Sequence, residues 1–313
     1  MAGILQFSGD VLRRISEVGL IEFIGEQIDE NLGDEAFRRD PDFLKILLPL
    51  MELFNRYFDS EVRGFENVPS EGPMLLVGNH SGGILVPDTT ALISAWYRER
   101  GLDSALVGLA LDAVFAVPGM KTLMRKLGEI PANPENAAEA LDAGATVLVY
   151  PGGAHEAFRP WADRNRIDFG GHKGFVRLAL RKQVPAVPVV GHGGHETTIV
   201  LTRGEWLAKH LGMERLRLHI APMLVQVPWG ISLPIIPGIP LPAKITVQIC
   251  PPPDWSHLGP DAADDPEVVD RCYEEITGVM QSALTQLAEE RPLPVISRLW
   301  GLLPGSGSGH SVG

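Results

Sequence analysis

Between Pro69 and Ile249 the chain alternates short apolar runs with amphipathic stretches, and this alternation narrows the choice of fold more than any other feature. The runs cover residues 74–77, 105–109, 146–149, 186–190 and 244–249. The stretches between them include residues 89–100, 121–126, 135–141 and 174–182. Such a pattern argues for strands covered by helices on both faces. The expected fold is therefore α/β, one mixed, largely parallel sheet, preceded by an N-terminal helical segment. A division follows: residues 1–60 helical, 61–255 the sheet-bearing domain, 256–300 a C-terminal helical segment, and 301–313 a flexible tail ending in GSGSGHSVG.

In the first segment Val11, Ile15, Val18, Ile24 and Ile28 recur at helical spacing. Pro41 opens a second helix there, with Phe43, Ile46, Leu47, Leu50, Met51, Phe54 and Tyr57 on a broad apolar face. Near the other end Asp265 reads as an N-cap, followed by Pro266 at the first helical position. Val268, Cys272, Ile276, Val279, Ala283 and Leu287 then form one stripe. Residues 220–243 carry no formal charge and are long enough to cross a bilayer. Pro222, Pro228, Pro234, Pro237, Pro240 and Pro242 break any continuous helix there, so the stretch is not expected to span.

Composition excludes several classes. Apolar residues make up 45 % of the chain and charged residues 21 %, the balance of a folded protein. A formal net charge of −12 argues against a nucleic-acid surface. The acidic excess sits in residues 1–60 and 251–313, leaving the middle nearly neutral and open to anionic ligands. Cys250 and Cys272 make no framework, and a reducing compartment is the default. No basic stretch precedes an apolar core at the N-terminus, so no secretory signal is expected.

Three blocks can carry chemistry. Gly78–Asp88 reads GNHSGGILVPD and places His80 where a strand meets a loop. Asp88 opens the next amphipathic stretch, near enough to fold back onto one imidazole nitrogen and fix the tautomer, leaving the other nitrogen as a base. A satisfied turn histidine beside an ordinary N-cap explains the same spacing equally well. The second block, Val149–Trp161, reads VYPGGAHEAFRPW. Its Pro151-Gly152-Gly153 turn can present consecutive backbone N–H groups to an oxyanion, and Glu156 and Arg159 fall at helical-neighbour spacing. A glycine-rich turn with an ordinary ion pair is the plainer alternative. The third block, His172–Leu180, puts Lys173 and Arg177 on one helical face, where they contact phosphate or simply face solvent. His192, His195 and Glu196 lie close together without metal-ligand spacing, and no metal is expected. No GxSxG elbow, Walker loop or GxGxxG loop occurs.

Taken in order, the blocks GNHSGG, PGGAHEA and KGFVRLA, the last followed by Val187-Pro188-Val189, resemble the lysophospholipid and glycerolipid acyltransferase superfamily. Within it the likeness is to the monoacylglycerol and diacylglycerol acyltransferase-like branch, over roughly residues 60–255. The resemblance implies a catalytic pair, His80 and Asp88, although seven residues separate them here where four are usual. It further implies substrate contacts at Asn79, Ser81, Gly82, Pro151, Gly152, Gly153, Glu156, Arg159, Lys173 and Gly174. The implied reaction moves a fatty acyl group from acyl-CoA, or from acyl carrier protein, to a glycerolipid or lysolipid hydroxyl. No cofactor is required beyond acyl-CoA as co-substrate. The phosphate-gripping Arg of the family's second block is missing, since the stretch reads GEIPANPENA with Pro131 and Ala132 in its place. A peripheral position on the cytoplasmic face of a membrane is expected, or the cytoplasm if the chain is soluble. A non-catalytic acyl-chain carrier and an acyl-thioester hydrolase remain alternatives on the same fold.

Overall fold

The computed structural model describes residues 40–83, 85–115, 119–210, 220–234 and 238–301. The expected helices before residue 40, and the tail after residue 301, lie outside the described residues. All five apolar runs become strands. In chain order these and the shorter strands are β1 (Glu61–Arg63), β2 (Met74–Gly78), β3 (Leu106–Ala110), β4 (Glu129–Pro131), β5 (Thr146–Val149) and β6 (Ala186–His192). Then come β7 (Ile199–Thr202), β8 (Met223–Gln226), β9 (Gly230–Ser232) and β10 (Thr246–Ile249). One sheet has the order β1-β10-β6-β2-β5-β3-β4. Its five strands from β6 to β4 run parallel, and β10 pairs antiparallel with β6, which makes the sheet mixed as expected. A second, three-stranded antiparallel sheet, β7-β8-β9, was not anticipated. It takes up part of the proline-rich stretch, and no described helix is long and apolar enough to cross a membrane.

The helices are α1 (Pro41–Phe58), α2 (Pro87–Arg100), α3 (Asp112–Phe115), α4 (Met120–Leu127), α5 (Pro134–Asp142) and α6 (Gly153–Ala157). They continue with α7 (Gly174–Lys182), α8 (Gly194–Thr197), α9 (Glu205–His210), α10 (Pro266–Glu290) and α11 (Pro294–Gly301). Strand β2 is buried along its whole length, and its pleat divides the core. Leu75 and Val77 face the layer of α5, α7 and α10, whereas Met74 and Leu76 face the layer of α1 and α2. Both cysteines are buried and free.

Two helices correct the sequence pattern. Helix α10 is capped by Asp265, whose side chain accepts from the N–H groups of Glu267 and Val268. It buries Val269, Met280 and Leu284 with Cys272, Ile276 and Leu287, while Val268, Val279 and Ala283 flank the contact. The stripe is wide enough that its centre falls one residue from the expected line. Helix α1 buries Leu44, Asn55 and Phe58 against α2, beside the apolar face read from the sequence. Ile46, Leu50 and Tyr57 are exposed, as is Leu53.

Candidate active site

Strands β5, β2 and β6 lie side by side and parallel, so the loops after them converge at one edge of the sheet. Those loops carry the first two sequence blocks and the histidines after β6. Asn79 ties two of them together. Its amide donates to Gly191 O at 2.9 Å and accepts from Gly191 N–H at 2.7 Å. Both ends of that side chain are committed to the backbone, which makes Asn79 a structural clasp rather than the expected substrate contact.

His80 follows immediately. Its backbone N–H donates to Glu156 Oε2 at 3.0 Å, and its ring stacks on Tyr150 with centroids 4.6 Å apart and an interplanar angle of 21°. Gly78 clears the space for that tyrosine, since a Cβ there would lie 2.4 Å from the ring. Neither His80 ring nitrogen has a hydrogen-bond partner among the described residues, and Nδ1 is buried. Burial pushes the imidazole down to about 4, so it is neutral at physiological pH.

Asp88 is buried nearby but does not reach the ring. Its Oδ2 accepts from Ser81 Oγ at 2.8 Å and its Oδ1 from Thr89 N–H at 2.8 Å. The expected His80–Asp88 hydrogen bond is therefore replaced by Ser81–Asp88, because the chain turns back to α2 through Ser81 and Gly82 and brings the serine to the carboxylate first. Gly82 has φ +82°, and a Cβ on it would lie 2.7 Å from Pro87 Cδ. Burial pushes the Asp88 carboxyl up to about 6.

The second block does more than form a turn. Glu156 and Arg159 are an ion pair in the interior, exposed by 0 % and 1 %, which calls for a reason beyond stability. Glu156 Oε1 takes Arg159 Nη2, and Oε2 holds the backbone of His80. Burial pushes the Glu156 carboxyl up against the opposing pull of Arg159. Gly152 is needed for this contact, because a Cβ would lie 2.6 Å from Glu156 Cβ. The expected pair of free N–H groups is not kept, since Gly153 N–H donates to Tyr150 O at 3.0 Å and closes the turn.

The third block is placed elsewhere. Lys173 pairs with Asp270 at 2.6 Å, and Arg177 caps Ala263 O, so both fasten α7 to the α10 layer. Gly174 opens α7 with nothing within 4 Å of where a Cβ would stand. Two residues that the sequence did not single out for catalysis join the site instead. Tyr150 supplies the platform under His80, and His195 enters from α8. No group of three or more metal-ligating side chains gathers among the described residues.

A family model described as Acyltransferase matches residues 59–191. An uncharacterized protein of Mycobacterium tuberculosis is 30 % identical over 272 residues, covering 86 % of this chain and 73 % of that one. A Bos taurus protein named DGAT1/2-independent enzyme synthesizing storage lipids is 28 % identical over 226 residues, covering 72 % of this chain and 63 % of its own. The crystal structure of a 1-acyl-sn-glycerophosphate acyltransferase from Thermotoga maritima aligns over 92 % of this chain and 98 % of that one, at 20 % identity and a TM-score of 0.47.

Proposed function

The chain belongs to the acyltransferase family, and from that premise we propose that it moves a fatty acyl group from a thioester to the hydroxyl of an uncharged glycerolipid, with His80 as the base. The observation that carries this reading is the neutral imidazole of His80, its Nδ1 buried and unpaired among the described residues and its backbone anchored to a buried Glu156. His80 takes the proton of the acceptor hydroxyl as that oxygen bonds to the thioester carbonyl carbon. Collapse of the adduct breaks the carbon–sulfur bond, and His80 returns the proton to the departing thiolate. Tyr150 and Glu156 hold the ring and its backbone in place, and Asp88 acts at one remove by fixing Ser81.

Support for an uncharged acceptor comes from the cations. A phosphomonoester needs a fixed cation, best a bidentate Arg, and Gly128–Asn133 provides none. Of the cations that could replace it, Arg159, Lys173 and Lys126 are committed to Glu156, Asp270 and Asp40, which leaves Arg125 just upstream as the competing candidate. Burial pushes Glu129 up to about 7, so its charge matters less here than the missing Arg. The name of the Bos taurus relative, an enzyme synthesizing storage lipids, supports the same reading.

The decisive experiment offers acyl-CoA to the purified chain with monoacylglycerol, diacylglycerol and lysophosphatidic acid at equal mole fraction in mixed micelles, read by mass spectrometry. Monoacylglycerol or diacylglycerol should be preferred, and His80→Ala should lower the rate about 10²–10⁴-fold. Full activity in His80→Ala would refute the base, and preference for lysophosphatidic acid would refute the uncharged acceptor. Free fatty acid without acylated product would identify a hydrolase, and tight acyl-chain binding without turnover a carrier.

We propose further that the substrate is met at a membrane surface. Ile46, Leu50 and Leu53 on α1 are exposed, as are Trp229, Ile231 and Ile239 around β9. Tyr57 Oη donates to Pro240 O at 2.6 Å and joins these two apolar regions. The chain should float with liposomes, and a Leu50→Lys, Leu53→Lys variant should not; a chain that stays with the soluble fraction in every lipid mixture would remove this reading.

A further inference from the structure

Beyond β6 the chain makes a sharp entry into α8. Gly193 has φ +96°, and a Cβ on it would lie 2.1 Å from Lys244 O. The next residue, Gly194, is pressed against the His80 loop, where a Cβ would lie 2.1 Å from Ser81 Oγ, and its carbonyl oxygen lies 3.2 Å from where a Gly82 Cβ would stand. Residues 81–82 are thus packed against Gly194, the residue before His195, and held in register by the Asn79–Gly191 clasp. The three polar side chains of α8 fare differently. Glu196 pairs with Arg164 at 3.0 Å, and Thr197 Oγ1 donates to Gly194 O at 2.7 Å. His195 is 3 % exposed, and its buried Nε2 has no partner among the described residues.

A buried ring nitrogen without a partner is costly, and a native structure tolerates one where a ligand completes it. The orphan lies beside the base, and a proton on His80 would repel one on His195. Burial, then the charges of Arg159 and His80, keep the His195 imidazole unprotonated. A neutral imidazole can hold a hydrogen on Nε2 and donate it without introducing charge. Such a donor is wanted here, because the Gly153 N–H that the sequence suggested for an oxyanion already donates to Tyr150 O.

Resting on the acyl-transfer reading above, we propose that His195 is a second catalytic histidine, whose Nε2–H donates to the acyl carbonyl oxygen as negative charge develops on it. When the acceptor oxygen bonds to the carbonyl carbon, the carbonyl π pair moves onto oxygen and His195 Nε2–H stabilises the oxyanion. Collapse re-forms the carbonyl and expels the thiolate, which takes the proton held by His80. His195 keeps its own proton throughout. The two histidines divide the work: His80 moves the proton, and His195 holds the charge.

The test uses the full chain, acyl-CoA and monoacylglycerol in mixed micelles, with wild type, His80→Ala, His195→Phe and His195→Gln. Loss of one oxyanion donor should lower kcat of His195→Phe about 10²–10³-fold, with KM and melting temperature unchanged. His195→Gln, which keeps an N–H near the same place, should recover most of that loss. Wild-type kcat in His195→Phe would overturn the proposal, and so would a raised KM at constant kcat, which marks ground-state binding. Equal loss in both His195 variants together with a lower melting temperature would mark a packing role and overturn it too. In each of these cases the acyl-transfer reading survives provided His80→Ala is inactive. Activity in His80→Ala, or none in the wild type with any acceptor, brings down that reading and this one together.

Discussion

At the amino end of β6 a cavity of about 320 Å³ is lined by Ala179, Leu180, Val184, Pro185 and Trp255, whereas at the carboxyl end of the same strand ionisable groups are packed into the interior. The amino end is satisfied: the Trp255 indole N–H donates to Glu275 at 2.9 Å, and α7 is pinned by Lys173–Asp270, Arg181–Asp264 and Lys182–Asp142 at the surface. The carboxyl end is not. His80 Nδ1, Arg159 Nε and His195 Nε2 are buried without partners among the described residues, and Glu156 and Asp88 are held above their ordinary pKa by burial. A hollow alone therefore does not locate the chemistry. Packing favours removing unpaired polar atoms wherever they have no use, so three of them on the loops that meet beyond β2, β5 and β6 mark the site better than volume does.

Three substitutions sharpen this contrast or break it. Glu156→Gln leaves Arg159 buried without its counter-charge and should lose about 3–5 kcal/mol in urea unfolding. It should also lower kcat, because His80 loses the anchor on its backbone. A stability loss under about 1 kcal/mol would mean that the pair behaves as a solvated one. At the other end, Trp255→Ala should cost about 3 kcal/mol while activity per folded molecule stays at the wild-type level. A fall in kcat at full folding would show that the two ends are coupled. The smallest effect is expected from Glu129→Gln. Burial raises this carboxyl from 4.5 to about 7, so between those values the folded chain holds a proton that the unfolded chain has released. Stability contributed by the protonated form is thus lost as pH rises through this window. The Gln variant, which has no such proton to lose, should gain on wild type by roughly 2 kcal/mol between pH 5 and 8. Parallel melting curves across that range would place Glu129 in solvent.

Much of the scaffold was legible because its causes are local. Thr146–Val149 and Gly174–Lys182 were read with the bounds the structure gives, one from a short apolar run and the other from helical periodicity. Asp265 announced α10 through the side-chain cap it makes. Strands β1, β4 and β9 escaped notice because each is three residues long, too short to show a period of two, and β4 ends in a proline allowed only at the edge where it lies. Helix α1 and its broad apolar face were legible, but not the residues that pack inward. Apolar residues occur on much of its circumference, and which of them meet α2 depends on a partner that periodicity does not describe.

The order of the chemical blocks, the strand-end position of His80 and the pairing of Glu156 with Arg159 were determined by the amino-acid sequence, since each depends on spacing within one turn or one strand. The tertiary structure decided where Asp88 points, which N–H groups remain free, and that His195 belongs beside His80. Those choices depend on β2 lying between β5 and β6, which brings together loops that are remote along the chain: Glu156 reaches the backbone of His80 across 76 residues. Short-range periodicity and capping act over a few residues and contain no information about strand order. The candidate site is built at the junction of three loops, and only the closing of the sheet creates that junction.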